Sequence, residues 1–207
     1  MSGELLVTLG VIVLLFAGYE LKFTDWLAQR NQHRLQRQVA ARWSAQNASG
    51  LAPDPVTGVA AGQGLAILRI PRLGADYHWV VVEGTSRGAL RDGPGHLPGT
   101  ALPGQVGNVV ISGHRTTYGH PFWHLDELAA GDPVDVEVRD RGYRYRVTSS
   151  TVVNPNDVAV TQPVPPPAAG AAAPRLLTLT TCTPPFSAAQ RLVVRAALAG
   201  VRTIRSG

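Results

Sequence analysis

Cysteine is almost missing: Cys182 stands alone in 207 residues, so the chain can make neither an intrachain disulfide nor a thiolate zinc cage. It carries one free thiol. A lone thiol is often only a small buried hydrophobe, and its neighbours must say otherwise before it is given a task. Lysine is equally scarce, with Lys22 the single example, and almost all of the basic charge is arginine. The formal net charge is +5, yet no basic run of the kind that tracks a phosphate backbone is present. That argues against nucleic-acid binding. No internal repeat is found, and long apolar stretches are limited to residues 5–19.

What is present is glycine and proline, 22 and 16 residues, in a pattern of short apolar runs separated by turns. The length suits one globular domain with an appendage. The expected organisation is a membrane anchor over 1–23, an amphipathic helix and linker over 24–63, and a folded domain over 64–207.

Residues 5–19, LLVTLGVIVLLFAGY, lie between Glu4 and Glu20. With the residues flanking them they approach the roughly 20 needed to span a bilayer. Neither a basic leader nor a small-residue cleavage site accompanies the run, so an uncleaved transmembrane helix is expected. Lys22, Arg30, Arg34, Arg37 and Arg42 all follow it, and the positive-inside tendency taken alone would leave the body in the cytoplasm. Residues 20–47 read as a helix with Leu27, Leu35, Val39 and Trp43 on one stripe. That stripe suits the membrane surface or the helix's own domain equally. The segment NASGLAPDPVTGVAAGQ, 47–63, reads as a linker.

Strands are predicted over 65–70, 78–83, 108–112, 134–139, 143–153, 175–182 and 190–198. In YRYRV, 143–147, aromatics fall on one face and arginines on the other. An all-β domain follows, a sandwich or a closed barrel. DELAAGD suggests a short helix around Leu125 and Leu128, ending at Gly131. The proline-rich segment 162–174 is a loop, because proline cannot donate to a central ladder.

RLLTLTTC, 175–182, is a strand that ends on the thiol, and TPPFSAA turns the chain into QRLVVRAAL. The hairpin sets Arg191 against Cys182 at one end of a sheet. A cysteine attacks only as its thiolate. Histidine can take that proton and return it to a leaving amine, and His114, in NVVISGHRTTYG, follows an apolar strand directly and opens a loop. Acyl transfer also places negative charge on a carbonyl oxygen, which a fixed guanidinium stabilises. Cys182, His114 and Arg191 are thus the catalytic candidates.

With these residues in place the chain resembles the sortase family: TLTTC at 178–182, Arg191 on the next strand, GHR at 113–115, and the approach GPGHLPGTALPGQVGNVVISGHR at 93–115. The similarity covers roughly 64–204. HRTTYGHPFWHLDEL and the short step from Cys182 to Arg191 resemble the class E group of actinobacteria, although Thr183 stands where many such members have histidine. The resemblance implies a closed β-barrel of about eight strands with short helices, behind an N-terminal transmembrane helix. It implies an extracytoplasmic, membrane-anchored transpeptidase without a cofactor. Such an enzyme cleaves an LPxTG signal, or LAxTG in class E, after its threonine. It passes the acyl group through a Cys thioester to an amine of a peptidoglycan precursor or protein. The resemblance also gives Thr181 and Tyr118 substrate-binding roles, and sets the body outside the membrane against the charge tendency.

His120 and His124 are spaced i, i+4, but Pro121 breaks the register and no third ligand is near, so no metal is expected. Some sortases bind calcium beside the active-site loop; 162–174 has no carboxylate and none is expected here. Two other readings remain: a different cysteine acyltransferase or hydrolase, and a non-catalytic wall-facing binding module.

Overall fold

The structure is a computed structural model that describes residues 2–49, 58–163 and 173–204. The middle of the expected linker and most of the proline-rich loop lie outside the described residues. Eight strands close into a barrel: β1 (Gly64–Arg69), β2 (His78–Glu83), β3 (Gly95–His96), β4 (Gly107–Ser112), β5 (Pro133–Val138), β6 (Arg141–Val153), β7 (Arg175–Thr183) and β8 (Gln190–Thr203). Their order around the barrel is β1-β2-β3-β4-β7-β8-β6-β5. Of the two topologies the strand pattern allowed, the barrel is the one formed. Most pairs are antiparallel; β2–β3 and β4–β7 are parallel.

Seven strands fall where the apolar runs place them, within a few residues at their ends. The two-residue β3 was not predicted, since GH inside a glycine-rich stretch has no period to read. Nor was α2 (Arg87–Asp92), whose only sequence mark is Ser86, an N-cap whose hydroxyl accepts from the Ala89 N–H. The short helix near Leu125 is a 3-10 turn, Leu125–Glu127.

Alternation decides what fills the barrel. Leu65, Leu68, Val81, Val109, Ile111, Val136, Tyr145, Leu177, Leu179 and Val194 form one buried cluster closed by Phe122 and Leu125 from the loop after β4. Tyr145 is fully buried and uses its hydroxyl to accept from the Gly104 N–H at 2.9 Å. Arg144 points out instead and meets Asp135 in a two-pronged ion pair at 2.8 Å.

The N-terminal segment is one helix, α1 (Ser2–Ala48), rather than two pieces. Among the described residues no helix is long and apolar enough to cross a membrane. The expected span is limited by its length: at 1.5 Å per residue, residues 5–19 reach about 22 Å, against about 30 Å of hydrocarbon. Leu5, Leu6, Val7, Leu14, Leu15 and Phe16 are exposed on it.

The second half of α1 packs on its own barrel. Its buried stripe is Ala28, Gln32, Leu35 and Val39, with Trp43 alongside, while Leu27 is only half-buried. Leu35 and Val39 meet Val80 and Val82 of β2. Gln32 occupies a place the apolar pattern could not assign. Its side chain accepts from the Val80 N–H at 2.7 Å and donates to the Val80 carbonyl at 3.1 Å. It thereby does for β2 what a neighbouring strand would do, at a point where β3 is too short to reach. The same amide donates to the Asp92 carbonyl at 2.7 Å, tying α1 to α2.

Replacing Gln32 by leucine leaves the two Val80 groups without partners under a helix. At about 1–3 kcal/mol for each orphaned group, the full chain is expected to lose about 2–6 kcal/mol in urea denaturation. Hydrogen exchange at the Val80 amide should accelerate in parallel; an unchanged rate would show that α1 does not cover this edge.

Candidate active site

The site forms where three strands end together. β7 lies between β4, its parallel neighbour, and β8, its antiparallel neighbour. The β7–β8 register pairs Cys182 with Arg191 directly. The β4–β7 register runs from Gly107 opposite Arg175 to Ser112 opposite Thr180; His114 is two residues past Ser112, as Cys182 is two past Thr180. The three sequence candidates therefore stand at one rim of the barrel, on three adjacent strands or their immediate extensions. The thiol is free and half-buried.

Beyond Ser112 the backbone ladder gives out in stages. The Gly113 N–H still donates to the Thr180 carbonyl at 3.1 Å. The chain then turns away, and the His114 carbonyl accepts instead from the Phe122 N–H at 3.1 Å. Gly113 is needed at this departure, because a Cβ there would lie 2.6 Å from the Phe122 ring. Thr181 is buried, and its hydroxyl donates to the Gly113 carbonyl at 2.8 Å. In this structure it is a brace under the histidine loop as well as the residue before Cys182.

His114 is half-buried, and its ring lies 5.0 Å from that of Tyr118, tilted by 51°. Tyr118 has a positive φ of 52°, which is costly for a residue of its size. Its other neighbour is the Arg91 guanidinium, 5.7 Å from the ring centroid. Gly119 follows in the same backbone region at φ 74°, where a Cβ would meet Trp79 at 2.7 Å. Its N–H donates to Asp25 of α1 at 3.0 Å. The loop that carries His114 is thus held by the barrel on one side and by α1 on the other.

Arg191 is half-buried, and its Nη1 donates to the carbonyls of Ala188 and Gln190 at 3.0 and 3.1 Å. These contacts hold the guanidinium over the turn that joins β7 to β8. In that turn Phe186 is exposed, has a φ of 64°, and stacks edge-on against Trp123 at 5.7 Å. A cleft of about 200 Å³ opens beside Trp123, lined by Tyr77, Trp79, His120 and His124 among others.

His120 and His124 do not converge. His120 lies 3.5 Å from Asp25, and His124 pairs with Glu127 at 2.6 Å. Sequence reasoning missed Arg115, Asp126, Phe122 and Asp25. The first three stood inside HRTTYGHPFWHLDEL, but nothing in their spacing announces a buried cross-tie. Asp25 is some ninety residues away, and only the docking of α1 brings it in.

A half-buried thiol at the end of β7, Arg191 paired with it across the hairpin and His114 just past the end of the parallel neighbour β4 lie at one rim of an eight-stranded barrel. Residues 68–199 match the sortase domain model. Over 93% of its length the chain is 34% identical to sortase SrtE1 of Streptomyces coelicolor. Among solved structures it is similar to sortase E from Streptomyces avermitilis, at 37% identity, a TM-score of 0.63, and coverage of 70% of this chain and 93% of that one. Sortase E1 from Streptomyces coelicolor with a tripeptide in the active site gives 36% identity, a TM-score of 0.62 and coverage of 70% and 94%. The chain belongs to the sortase family, and its likeness to these proteins supports class E. It spans about half, 54%, of the length of SrtE1.

Two outcomes follow from this geometry. Gly113→Ala should push Phe122 from its seat and cost about 1–3 kcal/mol of stability by overpacking; a variant as stable as the parent in urea would mean the ring yields freely. Burial holds the His114 imidazole below its ordinary pKa of 6.5, favouring the neutral form. Below about pH 6.5 the unfolded chain binds more protons at this residue, so its contribution to stability is lost as pH falls through the depressed value. His114→Gln should flatten the acid decline of the unfolding free energy, and an identical slope in both proteins would contradict the shift.

Proposed function

We propose that this chain is a cysteine transpeptidase that cleaves a C-terminal LAxTG- or LPxTG-type sorting signal after its threonine and joins the acyl part to an amine. The reading is carried by one observation: Cys182 and Arg191 are direct cross-strand partners, at the end of the barrel where the parallel neighbour β4 runs out towards His114.

In the first half-reaction the Cys182 thiolate adds to the threonine carbonyl carbon, and the carbonyl electron pair moves to oxygen. The Arg191 guanidinium stabilises that oxyanion. The intermediate collapses to a thioester as the C–N bond breaks, and His114 delivers the proton that the departing amine requires. In the second half-reaction an incoming amine adds to the thioester, gives its proton to His114 and expels the thiolate. The product is a new amide. The amine would come from a peptidoglycan precursor or a protein. Thr181, the residue before Cys182, and Tyr118, whose ring lies 5.0 Å from that of His114, are assigned to the peptide's path by the family resemblance. Support for the peptide comes from the similar Streptomyces coelicolor sortase E1, solved with a tripeptide in its active site.

The apolar side chains exposed along residues 5–16 support a membrane anchor, with the barrel extracytoplasmic, where sorting substrates and wall amines are found. Because α1 runs unbroken from that stretch to its seat on β2, the active-site loop would be held at a set distance from the bilayer.

The test is to incubate the full chain with LAxTG and LPxTG peptides, with and without triglycine, and to read products by mass. Ligation is expected only with the amine added, and none with Cys182→Ala. Arg191→Ala is expected to lower kcat by about 10²–10³, the usual effect of losing one oxyanion donor. Ligation by the Cys182→Ala variant would end this reading.

A further inference from the structure

Arg115 is the residue after His114, and its guanidinium is buried, with 5% of the side chain exposed. Its Nη1 donates to the Thr183 hydroxyl at 2.8 Å, and its Nη2 meets Asp126 Oδ1 at 2.8 Å. Its Nε is buried with no partner among the described residues. A buried cation is costly unless its surroundings repay it. Here the one carboxylate that pairs with it is itself 55% exposed, and one donor is unused. Stability alone is a poor reason for such a residue, and a hydrophobe of similar volume would fill the space at less cost.

Its position supplies a better reason. Arg115 joins the residue after the histidine to Thr183, the residue after the cysteine. Below the pair, backbone and hydroxyl bonds from Gly113 to Thr180 and Thr181 hold β4 to β7. Above it the backbone ladder has ended, and Arg115–Thr183 is the tie that continues the line. His114 and Cys182 lie between the two braces. A guanidinium suits the task because its planar fork bonds two acceptors in fixed directions, which an ammonium on a flexible stem does not.

We propose that Arg115 is a positioning residue that sets the separation of His114 and Cys182 through Thr183, with Asp126 orienting its fork. Thr183 is then the acceptor that lets this tie form without adding a second titratable group next to the nucleophile. The proposal rests on the transpeptidase reading, and it is tested by two measurements on the full chain, one of which needs no substrate.

The first is alkylation of Cys182 by iodoacetamide at neutral pH, followed by intact mass, for the parent, His114→Ala, Thr183→Val, Thr183→Ser and Arg115→Met. Thr183→Val keeps the shape and removes the acceptor; Thr183→Ser keeps the acceptor. Alkylation of Thr183→Val and Arg115→Met is expected to shift at least threefold towards the rate of His114→Ala, while Thr183→Ser stays near the parent. The second is ligation kinetics, where Thr183→Val should lose about tenfold or more in kcat with KM within twofold, and Thr183→Ser should recover it. If Arg115→Met fails to fold, the two threonine variants decide alone. Thr183→Val matching the parent in both assays, while His114→Ala differs, overturns the positioning role. His114→Ala alkylating like the parent, with no ligation by any protein, would instead overturn the transpeptidase reading beneath it.

Discussion

The parallel pairing of β4 with β7 is the constraint on which the site depends. A parallel neighbour delivers its C-terminal end to the same edge as β7, so two strands far apart in sequence finish side by side. The antiparallel hairpin then returns β8 to that edge with Arg191 first. Were β4 antiparallel to β7, its loop would leave from the opposite end and His114 would lie a full strand length from the thiol. The register is held inside the barrel as well as by the ladder: Val109 and Ile111 of β4 and Leu177 and Leu179 of β7 share one apolar cluster. A one-residue slip would turn each set towards the wrong face. At the far end, Thr178 donates to Asn108, whose amide in turn donates to the Val160 and Gln162 carbonyls.

The candidate catalytic residues were legible because acyl-transfer chemistry constrains their type. One thiol, one histidine after a buried strand and one arginine after a tight hairpin leave few arrangements, and the hairpin gave the Cys182–Arg191 pairing by counting. The barrel strands were legible for the same reason that they fold: Leu, Val and Ile alternate or run together between glycine and proline turns. What could not be read is whatever depends on two distant segments meeting. Gln32 breaks an apolar stripe in sequence and completes a strand edge in space. Asp25 looks like an ordinary helix-surface carboxylate until the Gly119 N–H arrives against it. Arg115 looks like one more arginine among many.

The transmembrane expectation shows a different limit. Hydropathy measures composition within a window, and residues 5–19 satisfy it over a length that is short by about five residues. It does not say where one helix ends and another begins. Pattern favoured an anchor followed by a separate amphipathic helix, yet no proline or glycine pair interrupts residues 20–47, and the backbone continues through. Leu35 and Val39 face the barrel because Val80 and Val82 present an apolar strip there; Arg30 and Arg37 are left exposed, while Arg34 reaches Asp92 at 3.5 Å and Arg42 donates to the Gly64 carbonyl of β1. Part of the basic charge that confuses the topology is therefore engaged with the protein's own surface.

That continuity changes what counts as the catalytic unit. The domain boundary suggested by sequence, at residue 64, falls where β1 begins, and every strand lies beyond it. The histidine loop, however, rests on Asp25 and Ala28 as much as on Trp79, and Val80 depends on Gln32 for both of its outward backbone groups. A boundary drawn by strands alone would cut through contacts that hold Tyr118 and Gly119 at positive φ, a backbone region easy for glycine and costly for tyrosine. The support of the loop that carries His114 thus begins at Asp25, some ninety residues earlier in the chain.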